Sequence, residues 1–171
     1  TYGILLRRHL DLSTLIQAQH AVSEEVGHED AQILTCLLLR AASKALLKLP
    51  LVQGSVGLAS IHEHGVGITE ITEASSASFR SILNKTRHAL SGSLRHDSVA
   101  LAVADMSGFD IDEAVLNVGV PVLTLGRMMY DHGKGTHHST LSISGNVSVE
   151  SGTKFLSAVA ELLNSPVRLV V

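Results

Sequence analysis

The stretch T-L-S-I-S-G-N-V-S-V-E-S-G-T-K-F-L-S-A-V-A-E-L-L-N-S-P-V-R-L-V-V, residues 140–171, decides how the chain is read. It parses as a strand over residues 140–149, around a turn at Ser144-Gly145-Asn146, then a helix capped by Ser151 and a short apolar tail. Phe155, Leu156, Val159, Leu162 and Leu163 recur at helical spacing, and Pro166 stops the run. The tail Leu169-Val170-Val171 reads either as a plain strand or as an apolar docking knob.

Outward from this stretch, strands and helices alternate. Residues 120–128, V-P-V-L-T-L-G-R-M, form a strand with Pro121 near its start, where a missing donor does least harm. The turn 131–137, D-H-G-K-G-T-H, follows it. Residues 98–104, S-V-A-L-A-V-A, suit a strand buried on both faces. Between the two lies D-M-S-G-F-D-I-D-E-A-V-L-N, irregular with one helical turn. Upstream, Ser75 or Ser76 caps a helix with Phe79, Ile82, Leu83, Thr86 and Leu90 inward, and Arg80, Asn84, Lys85 and Arg87 outward. Residues 54–72 hold strand pieces around His62-Glu63-His64-Gly65. Residues 31–49 form the most apolar helix, with Lys44 and Lys48 favourable against its dipole and Pro50 limiting it. Gly27 and Glu29-Asp30 separate it from a first helix of Leu12, Leu15, Ile16, Gln19 and Val22, capped by Asp11 or Ser13. Residues 2–10 open the chain as a strand. The fold class is α/β, two-layered, a mixed sheet with packed helices.

Composition limits the partners. The 171 residues fit one domain, residues 1–171, whose aromatic content of 3% leaves the core to Leu, Val, Ile and Ala. A net charge of −3 gives no reason to expect nucleic acid or a membrane surface. The apolar content of 45% is high for a monomer and directs the excess surface at other subunits. The single Cys36 rules out an internal disulfide and suits a reducing compartment. A start without Met or targeting segment fits a C-terminal piece of a longer chain.

Ten histidines invite a metal or catalytic reading. His62 and His64 would share one strand face, and His132, His137 and His138 cluster near a Gly-rich turn, but no spacing matches a zinc pattern. They read as solvent-facing or hydrogen-bonded side chains, with no metal and no cofactor. D-H-G-K-G-T lacks the framing of a nucleotide fingerprint. Cys36, among leucines, reads as an inert core residue.

Four blocks in register resemble the core domain of the dihydrolipoamide acyltransferases of 2-oxo acid dehydrogenase complexes, itself similar to chloramphenicol acetyltransferase. They are Y-G-I-L-L-R-R-H-L-D-L-S-T-L-I, L-L-L-R-A-A-S-K-A-L-L-K-L-P-L-V-Q, S-V-A-L-A-V-A-D-M-S-G-F-D-I-D-E-A-V-L-N-V-G-V-P-V-L-T-L-G-R-M, and T-L-S-I with the closing helix and tail. The resemblance implies a chloramphenicol acetyltransferase-like fold, shortened, and a homotrimer. It also implies a site that this chain lacks. After the T-L-S strand the family places D-H-R, whose histidine takes a proton from a thiol; Ser144, Gly145 and Asn146 stand nearest to it. Aligned on Gly108-Phe109-Asp110, the family's oxyanion-stabilising serine becomes Ala102 and its asparagine neighbour Val103. His137-His138 resembles the paired histidines of chloramphenicol acetyltransferase, but precedes the T-L-S-I strand. The strand pair that helps admit coenzyme A and lipoyl groups is compressed to G-V-G-I-T-E-I-T-E-A-S.

The resemblance, with these losses, implies a non-catalytic structural component with no catalytic residue and degenerate positions at Ala102, Ser144, Gly145 and Asn146. By resemblance its partners are the dihydrolipoamide acetyltransferase core and, through other modules, dihydrolipoamide dehydrogenase, in the mitochondrial matrix. Leu169, Val170 and Val171 are the expected docking tail. The alternatives are an active coenzyme A-dependent acyltransferase using another histidine, such as His64 or His138, and a free-standing trimeric binding protein.

Overall fold

The first and last strands of the chain pair with each other. β1 (Ile4–Asp11) runs antiparallel to β7 (Thr136–Gly145), with Ile4 opposite Gly145 and Asp11 opposite His138. On the other side of β7 lies β5 (Val122–Leu125), antiparallel, followed by β4 (Leu101–Asp105) and β2 (Val56–His62) in parallel. β3 (Gly65–Glu70) completes the sheet as a hairpin with β2, and β6 (Met129–Asp131) pairs with the start of β7. This computed structural model describes residues 3–27, 29–49 and 53–170. The expected strand start at Tyr2, helix stop at Pro50 and tail end at Val171 lie outside the described residues.

The alternation of the strands sends Val56, Leu58, Leu101, Val103, Leu123, Leu125, Leu141 and Ile143 to one face, where the helices cover them. These are α1 (Ser13–Val26), α2 (Asp30–Lys48), α3 (Phe79–Ser91), α4 (Val149–Leu163) and the short α5 (Val167–Val170). α2 is buried almost all round, as its apolar run predicts. Gly27 ends α1 in the left-handed conformation, and the buried Gln19 amide donates to the Asp30 carbonyl, 2.6 Å, fixing the α1–α2 corner. The opposite face carries a smaller cluster, Ala59, Ile68, Ala102, Ala104 and Val122, under Leu116, Val118 and Val120 of an irregular strap, residues 106–121. The α/β class, the mixed sheet and the packed helices are as the sequence predicts.

Several local expectations are corrected. Ser148 caps α4, its Oγ accepting from the Ser151 N–H, 3.1 Å, so Ser151 is the capped residue. Ser78, not Ser75 or Ser76, caps α3 through the Ser81 N–H. Leu90 is exposed, and Ala89 takes its place inward. Asp11 Oδ1 accepts from the Ser13 N–H, 2.9 Å, but the α1 cap position is Leu12, without a side-chain acceptor. Residues 107–110 form a turn and no helix. β7 begins four residues earlier than expected, because His137 and His138 pair with β6 and His138 with β1.

The described part of the tail, Leu169 and Val170, is neither strand nor exposed knob. It belongs to α5, with Leu169 wholly buried in this chain's own core and Val170 half-buried against it. Among the described residues no helix is long and apolar enough to cross a membrane.

Candidate functional site

One row crosses the open face of the sheet: Gly57, Ala102, Val122, Ser144 and Leu5 stand opposite one another on successive strands. Paired residues share a face, so these side chains point away from the helices. The strap divides the row. It is pinned by the Met106 N–H to the Leu125 carbonyl, 2.8 Å, and the Arg127 N–H to the Ile111 carbonyl, 2.9 Å. Arg127 also donates to Asp110, 2.8 Å, and to Asp112, 2.5 Å, and these two carboxylates hold its guanidinium above the usual arginine value. Arg7 of β1 meets Glu113 at 3.1 Å. A Cβ at Gly126 would run into the Asp112 carbonyl, so only glycine lets the strap lie this close.

Where the strap ends, it and the β1 and β7 termini enclose a cleft of about 540 Å³. Ile4, Leu5, Val115, Leu116, Val118, Val120 and Pro121 line it, with Asn117, Ser144 and Asn146 as its polar side chains. Gly145 occupies the turn at φ +127°, and a Cβ there would lie 2.9 Å from Pro121 Cα. No side chain fits at Gly145; the turn can present groups only from Ser144, nearly buried, and exposed Asn146. Among the described residues the cleft has no ionisable side chain. It can hold an uncharged, largely apolar group, and neither Ser nor Asn can act as a base near neutral pH.

Of the sequence-assigned positions, Ser144, Gly145 and Asn146 meet at this cleft. Ala102 does not: it is wholly buried beneath the strap, two strands from Ser144, about 10 Å away.

The histidines lie elsewhere. His138 is six residues back along β7, about 20 Å from Ser144. Its ring stacks on His9 at 4.9 Å, with His138 Nδ1 2.9 Å from His9 Nε2. His132 and His137 pack instead against Tyr130. His62 ends β2, bonded to Ser60 Oγ, and His64 sits in the hairpin turn, so the two do not share a strand face as expected. Among the described residues no group of three or more His, Cys, Asp or Glu could hold a metal ion. The Gly-rich turn is organised by Asp131, whose Oδ1 accepts from Gly133 and Lys134 N–H groups. Cys36 is buried, and desolvation pushes its thiol up to about 12, leaving it unreactive.

Sequence reasoning missed Arg40. It is 2% exposed in the middle of α2, and its guanidinium donates to the carbonyls of Leu169, Ala74 and Ala77. The signal was an arginine inside an otherwise apolar run, L-L-L-R-A-A.

The sequence matches no family model, and no curated protein matches it. Solved structures do. The truncated catalytic core of the 2-oxoacid dehydrogenase multienzyme complex from Thermoplasma acidophilum superposes with a TM-score of 0.78, covering 96% of this chain and 88% of that one at 13% identity. The dihydrolipoamide acetyltransferase of Azotobacter vinelandii, investigated for the catalytic roles of a serine, a histidine and an asparagine, gives 0.75, 99% and 84% at 16% identity. The chain has the dihydrolipoamide acetyltransferase core fold. Chloramphenicol acetyltransferase shares it at a TM-score of 0.63, with 94% and 88% covered and 10% identity. At such identities the likeness is one of fold, as the sequence resemblance implies, in a shorter chain.

Proposed function

We propose that this acetyltransferase-fold domain is a structural, non-catalytic component of a 2-oxo acid dehydrogenase complex. The protein it would match is the dihydrolipoamide dehydrogenase-binding protein, component X of the pyruvate dehydrogenase complex, in a fungal form with a shortened core domain. In this reading the domain forms trimers in the mitochondrial matrix and docks on the dihydrolipoamide acetyltransferase core. Dihydrolipoamide dehydrogenase is then recruited by modules outside the domain.

The observation that carries the reading is the neutral cleft. A general base must lie within hydrogen-bond reach of the proton it takes. Among the described residues the polar side chains of this cleft are Asn117, Ser144 and Asn146, none of them a base, and Gly145 leaves no room for another. The well-formed helical core beside this cleft supports a fold kept for assembly.

Sedimentation tests the docking. Mixed with the acetyltransferase core of the same complex, the domain is expected to co-sediment at a saturating ratio. Failure to co-sediment at any ratio overturns the proposal and leaves a free-standing binding protein.

A further inference from the structure

Arg40 has no place in that reading, yet it is the most unusual charge in the molecule. It is buried, and among the described residues it forms no ion pair and donates to neutral carbonyls. Two of them, Ala74 at 3.1 Å and Ala77 at 2.5 Å, belong to the segment between β3 and α3 and share one nitrogen, Nη1. The third, Leu169 at 3.0 Å, is in the final turn and takes the separate Nε–H.

That turn cannot stand alone. α5 has four residues, far below the length at which a helix is stable in water. Its own backbone bonds run from the Arg168 N–H to Ser165 and from the Leu169 N–H to Pro166. Further support comes from α2, α4 and the core. Lys44 Nζ donates to the Arg168 carbonyl, 2.8 Å, Arg168 meets Glu161 at 3.7 Å, and Leu169 fills the core.

We propose that α5 is a latch, fastened in cis by Arg40, that opens as a unit while α2, α4 and the sheet stay folded. Of the three Arg40 bonds, opening removes only the one from Nε. The Nη1 bonds to Ala74 and Ala77 stay, so the guanidinium remains tied in place while water reaches the freed nitrogen. The vacated seat is an apolar hole with a cation at its base. Its chemistry suits the backbone carbonyl of a short turn bearing a branched apolar side chain, which is what Leu169 supplies. The expected docking residue Leu169 is internal while the latch is shut and becomes available only when it opens. The latch rests on the fold alone and holds whether or not the domain docks on an acetyltransferase core.

Amide hydrogen exchange on the full chain tests it. The Arg168 and Leu169 amides are expected to exchange at least tenfold faster than that of Leu38 in the centre of α2, reporting a sub-global opening. Lys44→Met removes an outer tether with little risk to folding and is expected to speed both tail amides about threefold with Leu38 unchanged. Arg40→Lys, which keeps the charge but loses the fork, is expected to speed them tenfold or more. If the tail and Leu38 exchange at one common rate, or both variants accelerate them by one common factor, α5 opens only with global unfolding and the latch is overturned.

Discussion

The two ends of β7 divide between them what an acyl-transfer site needs together. At its start, His138 stacks on His9 beside Asp131 and Lys134, over a shallow pocket of about 300 Å³. At its end, Ser144, Gly145 and Asn146 border the larger cleft, about 540 Å³, with no ionisable side chain among the described residues. General-base chemistry needs the proton acceptor within about 3 Å of the reacting group. The strand holds these two ends about 20 Å apart. Cavity and imidazoles therefore stand at opposite ends of one strand, as the proposed structural role requires.

Substitutions at either end probe this contrast. The largest effect is expected at the neutral end. Gly145→Ala places a Cβ against Pro121 in a backbone conformation that favours glycine, and should cost about 2–4 kcal/mol by urea unfolding. A loss under about half a kcal/mol would show that the turn can rearrange to present a side chain, and would reopen the cleft to a base. At the histidine end, a double-mutant cycle of His9→Ala and His138→Ala should return a coupling of about 0.2–1 kcal/mol, as for an ordinary cross-strand pair. Asn146→Ala, in an exposed side chain at the cleft mouth, should stay within about 0.5 kcal/mol of the parent.

The smallest effect is one of pH. The Ser13 backbone N–H, then its side chain, hold the Asp11 carboxyl below the usual carboxylate value, with lesser help from the His138 and His9 charges. A depressed folded pKa means the stabilisation is complete above the ordinary carboxylate range and is lost as pH falls through it. Asp11→Asn should therefore flatten the acid limb of a stability–pH curve slightly and leave the neutral region parallel. An unchanged acid limb would show that Asp11 adds nothing to stability in acid.

The order of elements was legible because period and punctuation agree along most of the chain. α2 is the clearest case: an unbroken apolar run predicts a buried helix, and burial follows. The caps fall two or three residues from where the sequence suggests, because serine-rich entries offer more than one competent hydroxyl. Which one caps is settled by where the packed helix begins, as at Ser78 and Ser148. His137 reads as the last residue of a turn, but pairing across β6 draws it into β7, together with His138, which also pairs with β1.

Of the candidate site, the Ser144-Gly145-Asn146 turn that borders the cleft was legible, and it carries no ionisable side chain. The burial of Ala102 beneath the strap was not, because it depends on Gly126 and Arg127 holding residues 106–121 against the sheet. Nor was the inward turn of Leu169, whose carbonyl accepts from a buried arginine far away in sequence.

Whether the cavity has lost its chemistry can be read from acyl transfer between acetyl-coenzyme A and dihydrolipoamide with the purified domain. No turnover above the buffer rate is expected from the parent, since among the described residues the cleft offers no ionisable side chain to act as a base. Turnover by the parent chain that disappears in His138→Ala or His64→Ala would contradict a cleft without chemistry.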